Sequence, residues 1–391
     1  MRYLIAIILF AGILFAGEDK PKKDEKPGVT MDEISPFDPK PLMKKVEERI
    51  KTDKYRFAVL GDTKHATQFP ALVKLIDEQF VPDFVLTTGD MVQAGGGKVG
   101  PGYWEKLAMD TGSAMQKRPW WPAIGNHEIA GSPIVLRKEL DDEDVLKQNQ
   151  TVGTENFLKF YNLDREYYSF TFRNAVFIAL PFKYPKGESE KWLKEELEAA
   201  RAAKKHIFVF NHAPFYTVGG KSKTEIGNKE TSVTKLFQEY GVLGVFSGHD
   251  HGYYRTVRGG IPYVISAGGG AKIYPATRLK EALPEDVYYF GEPESAKGNP
   301  LPDGIKVVEL QPIAKAPAVA PAIPVAESRK DFPELAKRKQ YYLYHSGVTG
   351  VSRITDQVDL FTVIIDVDGP KVTMKCVSVR GEVFDEMEMA K

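Results

Sequence analysis

Five short polar clusters in this sequence carry residues able to hold metal ions or move protons. They are Gly61-Asp62 with His65 just beyond, Gly89-Asp90, Gly125-Asn126-His127-Glu128, Asn211-His212 and Gly248-His249-Asp250-His251. Each follows directly on an apolar run: AVLGD, VLTTGD, WWPAIGNHE, IFVFNHAP and VFSGHDH. Singly these signals are weak. A Gly-Asp after an apolar run is ordinarily a turn, and a lone histidine there is ordinarily a structural one. The His249-x-His251 pair says more. Two imidazoles two residues apart can face one centre from a tight turn, and Gly248 and Gly252 permit close backbone approach. The ordered set says most, because four of the seven histidines fall in these clusters. Aspartate supplies negative charge that two cations can share. Neutral imidazoles suit zinc, iron or manganese better than magnesium alone.

The strands and helices that carry these residues can be read from the same sequence. Residues 57–60, 84–88, 207–210, 243–246 and 263–266 are short, β-branched or aromatic, and bounded by Gly, Asn or Asp, as buried strands are. Residues 189–203 predict a helix, with Trp192, Leu193 and Leu197 on one face and Ser189 as N-cap. Weaker helical patterns cover 42–50, 71–79 and 232–240. Strands alternating with helices argue for an α/β domain. In such sheets, sites form beyond the carboxyl ends of the strands, so clusters far apart in sequence can converge. Residues 360–367 and 372–379 read as two strands joined at Asp368-Gly369. Residues 131–153 read as an inserted surface loop. The Pro/Ala-rich stretch around 275–340 reads as an extended insertion. Tyr103, Trp104, Trp120 and Trp121 are either cleft or core aromatics, with the core favoured for the two tryptophans before Pro122.

Composition bounds the function. The chain has 391 residues, 42% of them apolar, enough for a sizeable core. With 53 basic and 53 acidic residues there is no nucleic-acid-binding signature. Arg2 precedes an apolar run to Phe15, followed by Ala16-Gly17. Residues 1–17 thus read as a signal peptide or an N-terminal anchor that engages the membrane during export. Residues 18–40, rich in Lys, Asp, Glu and Pro, read as a solvated tether. A secreted, periplasmic or envelope-associated location is expected, with 41–391 forming the folded domain. Cys376 is the single cysteine, so intramolecular disulfides and cysteine-based zinc sites are excluded.

With these motifs in order, the sequence resembles the calcineurin-like metallophosphoesterase superfamily, which includes purple acid phosphatases and cyclic-nucleotide phosphodiesterases. The resemblance rests on GD at 61–62, GD at 89–90, GNHE at 125–128, NHAP at 211–214 and GHDH at 248–251. Linking text is also similar, in YYSFTFRNAVFIAL (167–180), WLKEEL, PYVISAGGGA (262–271) and GEVFDEMEM (381–389). It implies a four-layer α/β/β/α sandwich with two packed mixed β-sheets. It implies a phosphoesterase acting on a small phosphomonoester or phosphodiester through a dinuclear metal site and a metal-bridging hydroxide. The cofactors would be two divalent or mixed-valence transition metal ions: manganese, iron or zinc. Residue by residue, Asp62 and His251 would bind the first metal, and Asn126, His212 and His249 the second. Asp90 would bridge the two, and His127 would contact phosphate and protonate the leaving group. Glu128 would be a partner to one of the histidines.

The sequence departs from that pattern at one end. Much of the family has Asp-x-His in the first motif, whereas here Asp62 is followed by Thr63 and Lys64 before His65. Either His65 reaches the first metal from a looser turn, or that ligand is absent. Lys64 reads as an exposed lysine or a phosphate contact. Gln93 stands where purple acid phosphatases carry a tyrosine, so their charge-transfer colour is not expected. His206 and His345 read as structural or surface residues. Two other readings stay open. One is a non-catalytic envelope protein retaining the fold for binding, supported by the altered first motif. The other, a His-x-His amidohydrolase, fits poorly because its pair would come early in the chain.

Overall fold

The structure is a computed structural model that describes residues 29–34, 36–64, 69–130, 143–182, 184–219, 228–271, 273–274, 278, 281–283, 286–291, 341–345, 350–354, 360–378 and 383–389. Two mixed sheets form its centre. Numbered in chain order, the first holds β1 (Lys54–Leu60), β2 (Phe84–Thr87), β3 (Trp120–Pro122), β13 (Phe361–Asp368), β14 (Lys371–Ser378) and β15 (Val383–Glu388). Its spatial order is β15-β14-β13-β1-β2-β3. The second holds β4 (Tyr168–Phe172), β5 (Ala175–Ala179), β6 (His206–Phe210), β7 (Gly244–Ser247), β8 (Tyr253–Arg258), β9 (Ile261–Ser266), β10 (Val287–Gly291), β11 (Tyr341–His345) and β12 (Gly350–Ile354). Its order is β12-β11-β10-β8-β9-β7-β6-β5-β4. β1, β2 and β3 run parallel, as do β5, β6, β7 and β9.

The alternation of side chains along each central strand explains the layering. In β1, Phe57 and Val59 face the second sheet, while Ala58 and Leu60 face a helical layer. Phe84 and Leu86 of β2 point inward with them. The sheets meet through rings. Phe57 stacks on Phe84 at 5.3 Å and meets Phe177 and Phe208 edge-on, each at 5.2 Å.

The outer face of the first sheet is covered by α2 (Phe69–Leu75), α3 (Gly100–Thr111), α4 (Ser113–Lys117) and α5 (Glu143–Tyr161), through Leu72, Leu107, Met115 and Phe160. α2 runs on into a π-helical turn, Ile76–Phe80. The second sheet is covered by α6 (Glu188–Ala202) and α7 (Ser232–Tyr240), through Leu193, Leu197, Val233 and Phe237. In α7, Thr231 and Thr234 bond reciprocally across the first turn, a capping box. α1 (Pro39–Arg49) is started by Asp38, whose side chain accepts from the Lys40 amide at 2.9 Å. The result is the α/β/β/α sandwich the resemblance implied.

Several local expectations change. Residues 143–153 are not loop but the start of α5, whose buried Phe157 and Phe160 lie further on. The polar, acidic composition of 143–153 hid those anchors. Ser189 does not cap α6. The N-cap is Gly187, and Ser189 Oγ bonds the backbone of Lys186. The end of the stretch read as a solvated tether packs on the body: Met31 is buried, and the Phe37 ring lies 5.1 Å from that of Phe160. Within 275–340, Val287–Gly291 is a strand of the second sheet, paired with β8 and β11. Residues 1–28, 131–142 and 292–340, with the readings placed on them, lie outside the described residues. No helix among the described residues is long and apolar enough to cross a membrane. Trp104, Trp120 and Trp121 are all core, and Trp104 Nε1 donates to Gly95 O at 3.0 Å. His206 is buried and structural, its Nε2 2.9 Å from Gly369 O.

Phe57 meets three rings of the second sheet, Phe177, Phe208 and Phe246, so sheet packing leans on it. Phe57→Ala should lower unfolding free energy by about 3–5 kcal/mol, read from urea denaturation. A loss under about 1 kcal/mol would show that the sheets do not meet through this ring.

Candidate metal centre

Five strands deliver the site residues, and all five are parallel strands ending on one side. Asp62 follows β1, Asp90 follows β2, and Asn126 to Glu128 follow β3. His212 follows β6, while His249 and His251 follow β7. The site therefore straddles both sheets. The loops are tight enough that Asp62, Lys64, Asp90 and His249 take left-handed backbone angles, with φ of 58°, 44°, 55° and 69°. Such angles in non-glycine residues store strain and gather at functional sites. Two glycines permit the close approach. A Cβ on Gly125 would come within 2.5 Å of the Asp90 amide nitrogen, and one on Gly248 within 2.5 Å of Asp62 Oδ2.

Four sequence-selected residues meet around one point. Asn126 Oδ1 lies 2.9 Å from His249 Nδ1 and 3.1 Å from His212 Nε2. The two ring nitrogens are 3.1 Å apart, and His212 Nε2 is 3.2 Å from Asp90 Oδ1. His212 Nδ1 lies 2.7 Å from the carbonyl oxygen of Thr88. A carbonyl only accepts, so Nδ1 carries a proton; without a metal Nε2 can hold a second one and the ring is positive, and when a metal ion displaces that proton Nε2 turns a lone pair to the centre. Lone pairs from an imidazole, an amide and a carboxylate thus converge, which is the donor set of a transition metal. The residues assigned by resemblance to the second metal fit such an ion.

The first set differs. Asp62, Asp90 and His251 have ligand atoms within 4.8 Å of one another, so Asp90 is shared between two groups. His251 Nε2 is 3.3 Å from Asp62 Oδ1, and its ring stacks on Tyr274 at 4.2 Å. Lys64, however, is not an exposed lysine. Its side chain is only 9% exposed, and Nζ lies 2.9 Å from both Asp90 Oδ2 and His251 Nε2. An ammonium has donors only, so the His251 Nε2 lone pair is already engaged. With Lys64 there, this set does not fit a second metal ion. His65, the other candidate ligand, lies outside the described residues.

The remaining residues orient the centre. The His127 amide donates to Asp90 Oδ1 at 2.9 Å, and its ring Nδ1 is 2.6 Å from the Gln93 carbonyl oxygen. Its Nε2 lies 3.9 Å from Asp90 Oδ2, and the side chain is 18% exposed, so this ring is partly open to solvent. Asp90 is wholly buried, which works to raise its pKa. The charges of His212 and Lys64, with bonding from His212, outweigh burial and hold it well below the usual carboxylate range.

Glu128 is not a histidine partner, as the sequence suggested. Its carboxylate accepts from four backbone amides: Asp90 at 2.8 Å, Met91 at 2.7 Å, Val92 at 3.3 Å and Gly125 at 2.7 Å. It clamps the Asp90 loop to the Asn126 loop. Burial and the charge of Asp90 push its carboxyl up to about 7, opposed by the charge of His212 and the bonds from Asp90 and Gly125. Neither that clamp nor Lys64 could be found from spacing, because both are contacts through space. Glu128→Gln would set an amide NH2 against backbone N–H donors. It should cost about 2–4 kcal/mol in thermal or urea unfolding and weaken metal binding about 10- to 100-fold by titration. Unchanged stability and affinity would remove Glu128 from this role.

Comparison with known proteins agrees with the geometry. Residues 55–253 match the family described as calcineurin-like phosphoesterase. Purple acid phosphatase 22 of Arabidopsis thaliana is 26% identical over 210 residues, covering 52% of this chain and 45% of that protein. The purple acid phosphatase PPD1 from yellow lupin (Lupinus luteus) seeds superposes with a TM-score of 0.56 at 15% identity, covering 87% of this chain and 54% of that one. The chain thus spans about half the length of these relatives, and the lupin likeness is one of fold. The family match covers more than half of the chain and contains every candidate ligand described above: this protein belongs to the calcineurin-like phosphoesterases.

Proposed function

We propose that this protein hydrolyses a small phosphate ester, mono- or diester, outside the cytoplasm, using a transition-metal ion held by Asp90, Asn126, His212 and His249. The observation that carries this reading is the convergence of Asn126 Oδ1, His212 Nε2, His249 Nδ1 and Asp90 Oδ1 at the strand ends of both sheets. A bound manganese, zinc or iron ion supplies Lewis acidity toward a phosphoryl oxygen and makes water a stronger nucleophile.

The chain's own residues do the rest. Asp90 places one carboxylate between two cation positions, the second at Asn126, His212 and His249, the first at Asp62 and His251. Positive charge on both sides of Asp90 would stabilise the charge that builds on phosphoryl oxygens in the transition state. His127 stands at the open side. Its Nδ1 bond to the Gln93 carbonyl keeps a proton there, so Nε2 is the atom that exchanges one. A protonated His127 can therefore donate from Nε2 to the departing oxygen and return to neutral. The rival reading, an envelope protein that keeps the fold only for binding, has the altered first motif behind it.

Purified protein should hydrolyse aryl phosphates or bis-aryl phosphates when loaded with manganese, zinc or iron, and lose the activity with a chelator. Asp90→Asn should abolish turnover. His127→Ala should lower kcat about 10²- to 10⁴-fold, with the smallest loss on substrates whose leaving group needs no proton. Absence of hydrolysis by metal-loaded protein on both substrate classes, with no change on Asp90→Asn, would sink the proposal.

A further inference from the structure

We infer that the first cation of this centre is built into the chain: the ammonium of Lys64 takes the first cation position, and the protein binds one transition-metal ion through Asp90, Asn126, His212 and His249. The inference rests on the metal dependence proposed above, but not on hydrolysis itself.

The geometry is specific. Lys64 Nζ lies 2.9 Å from Asp90 Oδ2 and 2.9 Å from His251 Nε2. Those residues supply two of the three ligands in the first set, and Asp62 is the third. A metal ion would need both lone pairs at about 2.0–2.2 Å. An ammonium donating to His251 Nε2 and ion-paired with Asp90 Oδ2 fills that space and repels a dication, so the two cannot coexist.

The backbone holds Lys64 to this place. Its amide donates to the Asp90 carbonyl at 3.2 Å, and Thr63 Oγ1 donates to Met91 O at 2.7 Å. Its φ of 44° turns the chain back over the Asp90 loop. The side chain is 9% exposed, so the charge is largely withdrawn from water. Two carboxylates, Asp62 and Asp90, stand in the same group and compensate it. A buried lysine without such partners would be strongly unfavourable.

The exchange alters the chemistry in a definite direction. Lysine is a fixed point charge with three donors, able to bind a phosphoryl oxygen. It cannot act as a Lewis acid on water, so that task falls to the metal at the second position.

Metal counting tests this on the full chain. After saturation with manganese and removal of unbound ion, wild type should retain about one ion per chain by elemental analysis, and Lys64→His or Lys64→Ala about two. His249→Ala should empty the wild-type site. Electron paramagnetic resonance of the wild type needs no variant to fold: an isolated-ion manganese spectrum supports the inference, and an exchange-coupled pair overturns it. Retention of two ions or none by wild type also overturns it, as does an ion lost on His251→Ala but kept on His249→Ala. One ion bound without phosphoesterase activity would count against the proposed reaction and leave this inference standing. Two ions with activity would do the reverse.

Discussion

Asp90 carries its negative charge where water does not reach, between strand ends of two sheets. Burial alone would favour the neutral acid. The charge persists because donors and positive groups surround it: the His127 amide, the His212 ring and the Lys64 ammonium. Each comes from a different segment of the chain. Ionising Asp90 and assembling the centre are therefore one condition, and the surrounding loops are shaped to meet it. Glu128 is the brace. By accepting four backbone amides it fixes the left-handed turn at Asp90 and ties it to the loop of Asn126.

The sandwich makes that condition attainable. Rings packed between the sheets hold β1 and β2 against β5 and β6. The parallel strands then end together, so loops from both sheets face one another across a short gap. Ligands carried on short loops at the ends of packed strands are held more firmly than ligands on long loops. The positions of Gly125 and Gly248 follow from the same crowding, since side chains there would collide with the two aspartate loops. The centre is asymmetric as a result. One half gathers imidazole and amide ligands around the carboxylate, and the other holds an ammonium against it. A phosphate ester approaching from the His127 side would meet both halves.

Much of this was legible in the sequence, for reasons that are local. Strand character follows from β-branched and aromatic runs, and the structure places strands at the five so read, 57–60, 84–88, 207–210, 243–246 and 263–266; the short β3 before Asn126 was not among them. The donor types follow from side-chain identity, and the ordered motifs pointed to the family that the comparison confirms. Local composition misled elsewhere. A polar stretch began α5, and Met31 and Phe37 lay in what read as a tether but pack on the body.

Residue types and their order along the chain were enough to say which chemistry was available: carboxylates, an amide and imidazoles after apolar runs, with a single cysteine. Those properties belong to single residues and their neighbours in the chain. How the donors were divided came from the packing of the two sheets. Asn126 meets His212 across 86 positions, Asp90 serves both groups, and Lys64 meets His251 across 187 positions. A lysine four residues past a strand is exposed on most folds. Here the twist of the Asp62 turn and the packing of the two sheets carry its charge into the centre, and no local pattern encodes a distance of that kind.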